Sequence, residues 1–180
     1  MLQIEIKGRE FFNEKTLEFI NLKDCKLQLE HSLVSLSKWE SKWHKPFLSQ
    51  EPKTREETID YVKCMTLTQN VDPLIYQSLS SSNIKDINKY IEDPMTATTI
   101  NNRKNKPHSR EIITSEIIYY WMIQSGIPME CQKWHLNRLL TLIEVCSIKG
   151  QKGEKMSNKE ILSSNAALNA ARRKKFNTKG

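Results

Sequence analysis

The most reactive side chains of this chain are few and widely spaced. Cys131 and His135 stand four residues apart, a spacing that on a helix would put two zinc-ligand types on one face. A structural zinc site needs a second close pair, and the sequence has neither Cys-x2-Cys nor His-x3-His. The sequence therefore predicts no metal site and no cofactor.

Candidates for catalysis are equally sparse. His108 and Ser109 are adjacent, but they lie in a polar connection, residues 101–109, where helix capping and solvation account for both. His135 lies on an otherwise apolar segment and is interpreted as a hydrogen-bonded core or edge histidine rather than a general base. No GxSxG, HExxH, glycine-rich phosphate loop or EF-hand pattern occurs. We therefore predict no catalytic residues and a protein that is not an enzyme.

Two interpretations are possible for the state of the cysteines, and two for the role of the tryptophans. Buried free thiols are favoured over disulfides because nothing indicates a secretory route that would oxidise them. The tryptophans are more typical of core anchors than of a cation- or base-stacking platform. The residues concerned are Cys25, Cys64, Cys131 and Cys146, and Trp39, Trp43, Trp121 and Trp134.

Positive charge is concentrated at one end of the chain. The 180 residues carry a formal net charge of +7, and residues 149–180 contain nine Lys and Arg against two Glu, so residues 1–148 sum to zero. The run Arg172-Arg173-Lys174-Lys175 fits three interpretations: a solvated helix end, contact with nucleic-acid phosphates, or docking in an acidic protein groove. A neutral body with a basic terminus favours contact with something acidic, either nucleic acid or an acidic protein surface, and the solvated helix end stays open beside these two.

Hydrophobic periodicity predicts an α+β fold that is mainly α-helical. Alternating apolar residues over 1–22 predict two or three short antiparallel strands, a small sheet that must pack on helices. From about Leu27 the spacing becomes helical, through Leu29, Leu33 and Leu36, so we assign 27–148 to a helical bundle. The globular domain is thus 1–148, followed by a linker at 149–156 and a basic helical arm at 157–180.

Cap and turn residues divide the bundle into five or six helices. Thr54 with Glu57 forms a capping box, and Asp72 before Pro73 opens a short helix. A helix capped by Ser109 is apolar nearly all round and is predicted to be the most buried element. It should form an antiparallel hairpin with the next helix. The remaining predicted boundaries are a helix at 82–91, the capped helix at 112–125, its partner at 129–147, and a capping box at Ser157 opening the arm.

Nine stretches, spread between residues 31 and 175, carry a resemblance to known proteins: 31–33, 38–43 (KWESKW), 45–48 (KPFL), 58–61 (TIDY), 64–66 (CMT), 93–98 (DPMTAT), 109–114 (SREIIT), 134–140 (WHLNRLL) and 166–175 (AALNAARRKK). They resemble proteins encoded by tailed bacteriophages, often beside tail genes. The resemblance implies a viral protein that is tail-assembly-chaperone-like. Such a chaperone would hold a tail tube or tape measure protein until it polymerises, and is expected to self-associate.

We therefore expect a non-enzymatic phage assembly protein that binds another phage structural protein. One alternative is a virion component of the tail or head-tail region whose arm links subunits, and a second is a nucleic-acid-binding phage protein. No segment is long and apolar enough to span a bilayer, so no membrane partner is expected, and the chain should reside in the host cytoplasm or in the virion. The predicted partner-binding residues are Ile161, Leu162, Leu168, Arg172, Arg173, Lys174 and Lys175.

Overall fold

A computed structural model gives the fold, and it describes residues 1–13, 18–100, 112–150 and 158–177. The chain divides into two compact units, Met1–Cys146 and Ser147–Gly180. Its regular elements are β1 (Leu2–Ile6), β2 (Glu10–Asn13), β3 (Glu18–Asn21), β4 (Cys25–Leu29), α1 (Leu33–Trp43), α2 (Arg55–Met65), a 3-10 helix (Pro73–Ser78), α3 (Ser81–Glu92), α4 (Ser115–Gln124), a second 3-10 helix (Met129–Lys133), α5 (Leu136–Gly150) and α6 (Asn158–Phe176). This arrangement confirms the mainly helical α+β class with a small antiparallel sheet at the N-terminus.

The N-terminal strands form two antiparallel pairs. β1 pairs with β4, with Ile4 opposite Leu27, while β2 pairs with β3 as a hairpin. Alternation places Ile4, Ile6, Leu27 and Leu29 in the core, because successive side chains of a strand point to opposite faces.

The prediction that strands end at residue 22 and that the helical part begins at 27 was wrong. Leu27 and Leu29 belong to β4, and the first helix begins at Leu33. The two-residue spacing of Leu27 and Leu29 was assigned to the helical pattern of Leu33 and Leu36. Apolar residues at 27, 29 and 33 are compatible with both a strand and a helix. Residues 25–29 form a strand because they pair with distant parts of the chain. One edge of β4 pairs with β1, and on the other edge the Leu67 N–H donates to the Gln28 carbonyl at 2.8 Å.

Two hydrophobic clusters share α1. The first joins the β1–β4 pair to α2 and α3 through side chains such as Leu27, Trp39, Met65 and Ile87. The second joins α1 to α4 and α5 through Leu33, Leu36, Ile118, Met122, Leu136 and Leu139, all fully buried. α1 therefore packs on both clusters and fixes their positions relative to each other.

The predicted caps are present where the structure describes them. The Thr54 side chain accepts from the Glu57 N–H and Glu57 accepts from the Thr54 N–H, so the capping box that starts α2 is confirmed. Asp72 caps the Pro73–Ser78 helix through the Leu74 N–H, with Pro73 in its first turn. Gly126, with φ of 63°, follows α4 in the left-handed conformation expected of a helix-terminating glycine. Ser109 and Ser157 lie outside the described residues.

α4 is not the most buried element, contrary to the prediction. One face, with Ile118 and Met122, packs into the second cluster against α1, but Tyr120 is 58% exposed and Ile123 67% exposed on the other side. The helix also begins at Ser115 after Thr114, later than predicted. α4 packs on α1 in the second cluster, which also contains Leu136 and Leu139 of α5.

The single helix predicted over 129–147 is two helices. The 3-10 helix ends at Lys133, and α5 begins at Leu136. The chain is extended at Trp134 and His135 because His135 forms an antiparallel bridge with Ser32, and the Leu136 N–H donates to the His31 carbonyl at 2.7 Å. A long-range backbone contact, absent from local periodicity, interrupts the helix.

The second unit contains α6, Asn158–Phe176, within the predicted arm of 157–180. The predicted linker of 149–156 begins inside α5, which extends to Gly150, and its residues 151–156 lie outside the described residues. No helix in the described ranges is both long enough and apolar enough to cross a membrane.

Candidate partner-binding site

All seven predicted partner-binding residues lie on α6. Alanine-rich sequence favours this helix, because alanine loses no side-chain entropy on helix formation. The side chains of Leu162 and Leu168 are 70% and 53% exposed, and Phe176, which the sequence analysis did not select, is 67% exposed. Ile161 is the fourth residue of α6, and its side chain lies outside the described part.

The exposed leucines of α6 precede its basic run along the helix axis. Leu162 and Leu168 are six residues apart, which in an α-helix places them about 120° apart around the axis. The two leucines thus lie within the first three turns on different sides, and the basic run and Phe176 follow at the end of the helix. A partner would meet an apolar segment and then a cationic end.

The cationic end presents charge in every direction. Arg172, Arg173, Lys174 and Lys175 are consecutive and exposed, and successive residues of a helix are about 100° apart, so the four side chains encircle it. Cations at a helix C-terminus also interact favourably with the helix dipole. Arginine adds planar, bidentate donors that match carboxylate and phosphate groups.

Two histidines of the body, His31 and His135, form a buried polar cluster with Tyr61. His31 Nδ1 lies 2.5 Å from the Tyr61 hydroxyl oxygen, and the His31 and His135 rings meet edge to face with centroids 5.1 Å apart. His135 Nε2 donates to the Tyr90 carbonyl at 3.0 Å, and its Nδ1 accepts from the Asn137 N–H at 3.3 Å. This confirms that His135 is a hydrogen-bonded core histidine.

Burial keeps these groups neutral. Desolvation, with a smaller contribution from the neighbouring His135, lowers the pKa of His31 to about 3. Desolvation also lowers the pKa of His135, and burial raises the pKa of the Tyr61 hydroxyl. His31 is 2% exposed and His135 5%, so both rings lie in the core, where they take part in packing and hydrogen bonding.

Sequence reasoning missed Glu40, the buried carboxylate that joins α1 to α4. Its Oε1 accepts from the Phe47 N–H at 2.8 Å and its Oε2 from the Ser115 N–H at 2.7 Å. Ser115 is the first residue of α4, so Glu40 satisfies a backbone donor that helix geometry leaves free. The only sequence signal was a glutamate next to Trp39 on the apolar face of a helix.

Trp39 is buried in the core, and the other three tryptophans are half-buried against the two clusters. Trp39 is buried, and its Nε1–H donates to the Glu57 carbonyl at 2.9 Å. Trp43 is half-buried, and its Nε1–H donates to Asp60, which also pairs with Lys42. The half-buried Trp134 ring is covered by the Arg138 guanidinium at 4.1 Å. These contacts make Trp39 and Trp43 structural anchors rather than parts of an open stacking platform.

The cysteines are free thiols, of which Cys131 is buried and the other three are half-buried. Cys131 lies in the 3-10 helix and His135 follows it in extended backbone, so they do not share a helical face as their spacing suggested. Among the described residues, no group of three metal-ligating side chains comes together. His108 and Ser109 lie outside the described residues.

The comparisons with known proteins return nothing for this chain: no protein-family model, no curated protein and no solved structure matches it.

Proposed function

We propose that this chain is a non-enzymatic bacteriophage assembly protein, tail-assembly-chaperone-like, that binds another phage structural protein through α6. The observation that carries the proposal is the surface of α6, where exposed Leu162, Leu168 and Phe176 accompany the basic run 172–175. The phage context comes from the sequence resemblance. The chain would act in the host cytoplasm, or in the virion if it remains with its partner.

The composition of α6 supports a protein partner. Exposed large apolar side chains gain about 25 cal/mol for each Å² that a partner removes from water. The two hydrophobic clusters of the body are built from residues up to Cys146. A tail tube or tape measure protein with an apolar site beside acidic residues would complement both halves of the helix.

Affinity capture from phage-infected cells tests the proposal. The baits are the full chain, a chain ending at Gly150, and a Leu162→Gln/Leu168→Gln variant, with Asn165→Gln on the same helix as the matched control. Glutamine preserves helix propensity while removing the apolar contact. We expect one phage structural protein, identified by mass spectrometry, with the full chain and the control but not with the other two baits. Equal recovery by all four baits would contradict a role for α6.

A virion component is the first alternative, because a chaperone leaves its client whereas a structural protein stays in the particle. Mass spectrometry of purified virions separates the two. Absence of the chain from virions that contain its partner supports the chaperone role, and a fixed stoichiometric copy number supports the structural role.

Nucleic-acid binding is the second alternative, favoured by the basic ring at 172–175. A phosphate-contacting helix would lose DNA affinity steeply with salt, with a log-log slope of about −0.9 for each phosphate neutralised. We expect no binding to a 30-base-pair duplex at low salt. Strong binding with a steep slope, abolished by changing the four basic residues to glutamine, would replace the protein-binding proposal.

A further inference from the structure

The outer edge of β1 carries unpaired backbone groups. β4 is bonded on both sides, to β1 and to the chain after α2, where the Leu67 N–H donates to the Gln28 carbonyl at 2.8 Å. β1 has β4 on one side, and within the described residues no strand lies on the other. An open strand edge of this kind is a template for pairing with another chain.

The register shows which groups face outward. The N–H and C=O of one strand residue point to the same side, and those of Gln28 bond away from β1, to Thr68 and Leu67. Its register partner Gln3, and Glu5 two residues on, therefore direct their backbone groups away from β4. The Glu5 carbonyl shows this direction by accepting from Asn83 Nδ2 at 3.3 Å. The Gln3 N–H and C=O and the Glu5 N–H have no hydrogen-bond partner among the described residues.

A groove of about 540 Å³ lies along this edge, with α3 as its other wall. Glu5 is paired with Lys26 at 2.7 Å on the surface. The other charged side chains that line the groove are Asp86, Lys89 and Asp93, and none of them has an ion-pair partner in the described part of the chain. The α3 side of the groove therefore carries two carboxylates against one ammonium.

We propose that the groove between β1 and α3 binds an extended, basic peptide segment of a partner protein by strand addition. An extended backbone supplies an acceptor for the Gln3 N–H and a donor for the Gln3 carbonyl, which a helix cannot do because its own groups are already bonded. A lysine or arginine of the segment reaches Asp86 or Asp93. Leu2 and Tyr90, which also line the groove, provide an apolar surface for an intervening side chain.

The residues that line this groove all belong to the body, Met1–Cys146. A chain ending at Gly150 should retain the groove. The strand-addition proposal and the α6 proposal can therefore fail independently of each other. If both hold, the protein has two contacts with its partners, one helical and one extended.

Nuclear magnetic resonance on the 15N-labelled full chain tests the proposal. The probe is an acetylated, amidated hexapeptide, Lys-Val-Lys-Val-Lys-Val, titrated to about 1 mM. We expect shifts of the Gln3 and Glu5 amide signals and slower hydrogen exchange at Gln3. The same peptide with alternate backbone nitrogens methylated should not bind, because it cannot exchange hydrogen bonds with the edge. Equal binding of the methylated peptide, or no shift at Gln3, overturns the proposal.

Charge reversal supplies the second measurement. Asp86→Lys should weaken the peptide about threefold to tenfold, whereas Glu92→Lys, on the same helix but outside the groove lining, should leave the affinity unchanged. Equal weakening by both variants would show non-specific attraction and overturn the site. Protection of the Gln3 amide that rises with protein concentration alone would also overturn it, because a second copy would then occupy the edge.

Discussion

Single buried polar residues hold the body together at the points where its elements meet. His31, His135 and Tyr61 join the strands to α2 and α5, and Glu40 joins α1 to α4. Each of these side chains has a hydrogen-bond partner in the body, as buried polar groups in folded proteins generally do. Their loss should therefore appear in stability, while the exposed residues of α6 should affect binding.

The histidine cluster makes folding stability depend on pH. The pKa of His31 is about 3 when folded and near 6.5 when unfolded, so between these values the unfolded chain binds the extra proton. The free energy of unfolding should therefore fall as pH drops below about 6.5, by up to about 1.4 kcal/mol per pH unit for this residue. The lowered pKa of His135 acts in the same direction.

Urea unfolding at pH 7 and pH 5 measures this effect. His31→Gln should lower stability at pH 7, because it disturbs the Tyr61 contact, but should reduce the difference between the two pH values. His44→Asn, at an exposed position with φ of 52° that asparagine tolerates, serves as the control and should keep the full difference. An unchanged pH difference in His31→Gln would contradict the assignment.

Glu40→Gln should destabilise the body by about 2 kcal/mol. The amide keeps one acceptor oxygen but turns its NH2 group toward a backbone N–H, so the donor of Phe47 or Ser115 is left unsatisfied. Denaturant titration measures the change, with the exposed Glu56→Gln as a control that should lie within about 0.5 kcal/mol of the parent. A cost of Glu40→Gln equal to the control would mean that the two backbone donors find other acceptors.

At the scale of elements, the close approach of two chain segments near the first strands depends on Gly8. Its N–H donates to Asp24 Oδ1 at 2.8 Å, and a Cβ added there would overlap the Leu22 carbonyl group. Gly8→Ala should therefore cost about 1–3 kcal/mol, the range for overpacking a well-filled site.

Gly150 provides the matched control, since it lies in the last turn of α5 with open space where its Cβ would be. Gly150→Ala should leave stability unchanged or raise it by up to about 1 kcal/mol, through helix propensity. Thermal unfolding of both variants compares them directly. A neutral Gly8→Ala would indicate that the β1–β2 connection moves away from Leu22.

The elements that local chemistry defines could be predicted from the sequence, and those that distant contacts define could not. The capping box at Thr54 and Glu57 and the Asp72-Pro73 start depend on neighbouring residues, and they form as expected. β4 and the break before α5 depend on pairing with residues far along the chain, as in the bridge between Ser32 and His135. Composition suggested a buried α4, but apolar residues on both faces do not reveal which face a neighbour covers.

The same distinction applies to the candidate site. The residues of α6 were recognisable because charge and alanine content are local properties of the sequence. The open edge of β1 was not, because it depends on which strands pair and on the register between them. Glu40 was missed for the same reason, since its two backbone partners lie seven and 75 residues away.

For the whole molecule, the body should fold without α6. A chain ending at Gly150 retains every residue of both hydrophobic clusters and the complete α5. Its unfolding midpoint in urea should match that of the full chain within about 0.5 kcal/mol of stability. Loss of cooperative unfolding in the truncated chain would show that α6 belongs to the fold and would remove the division between body and arm.

The most direct test of the central claim is hydrogen exchange of the α6 amides in the chain alone and in the complex captured from infected cells. If α6 binds the partner, amides between Leu162 and Phe176 should exchange at least tenfold more slowly in the complex, since binding stabilises the helix against opening. Unchanged exchange in α6, with protection confined to the body, would contradict the claim that this helix is the binding element.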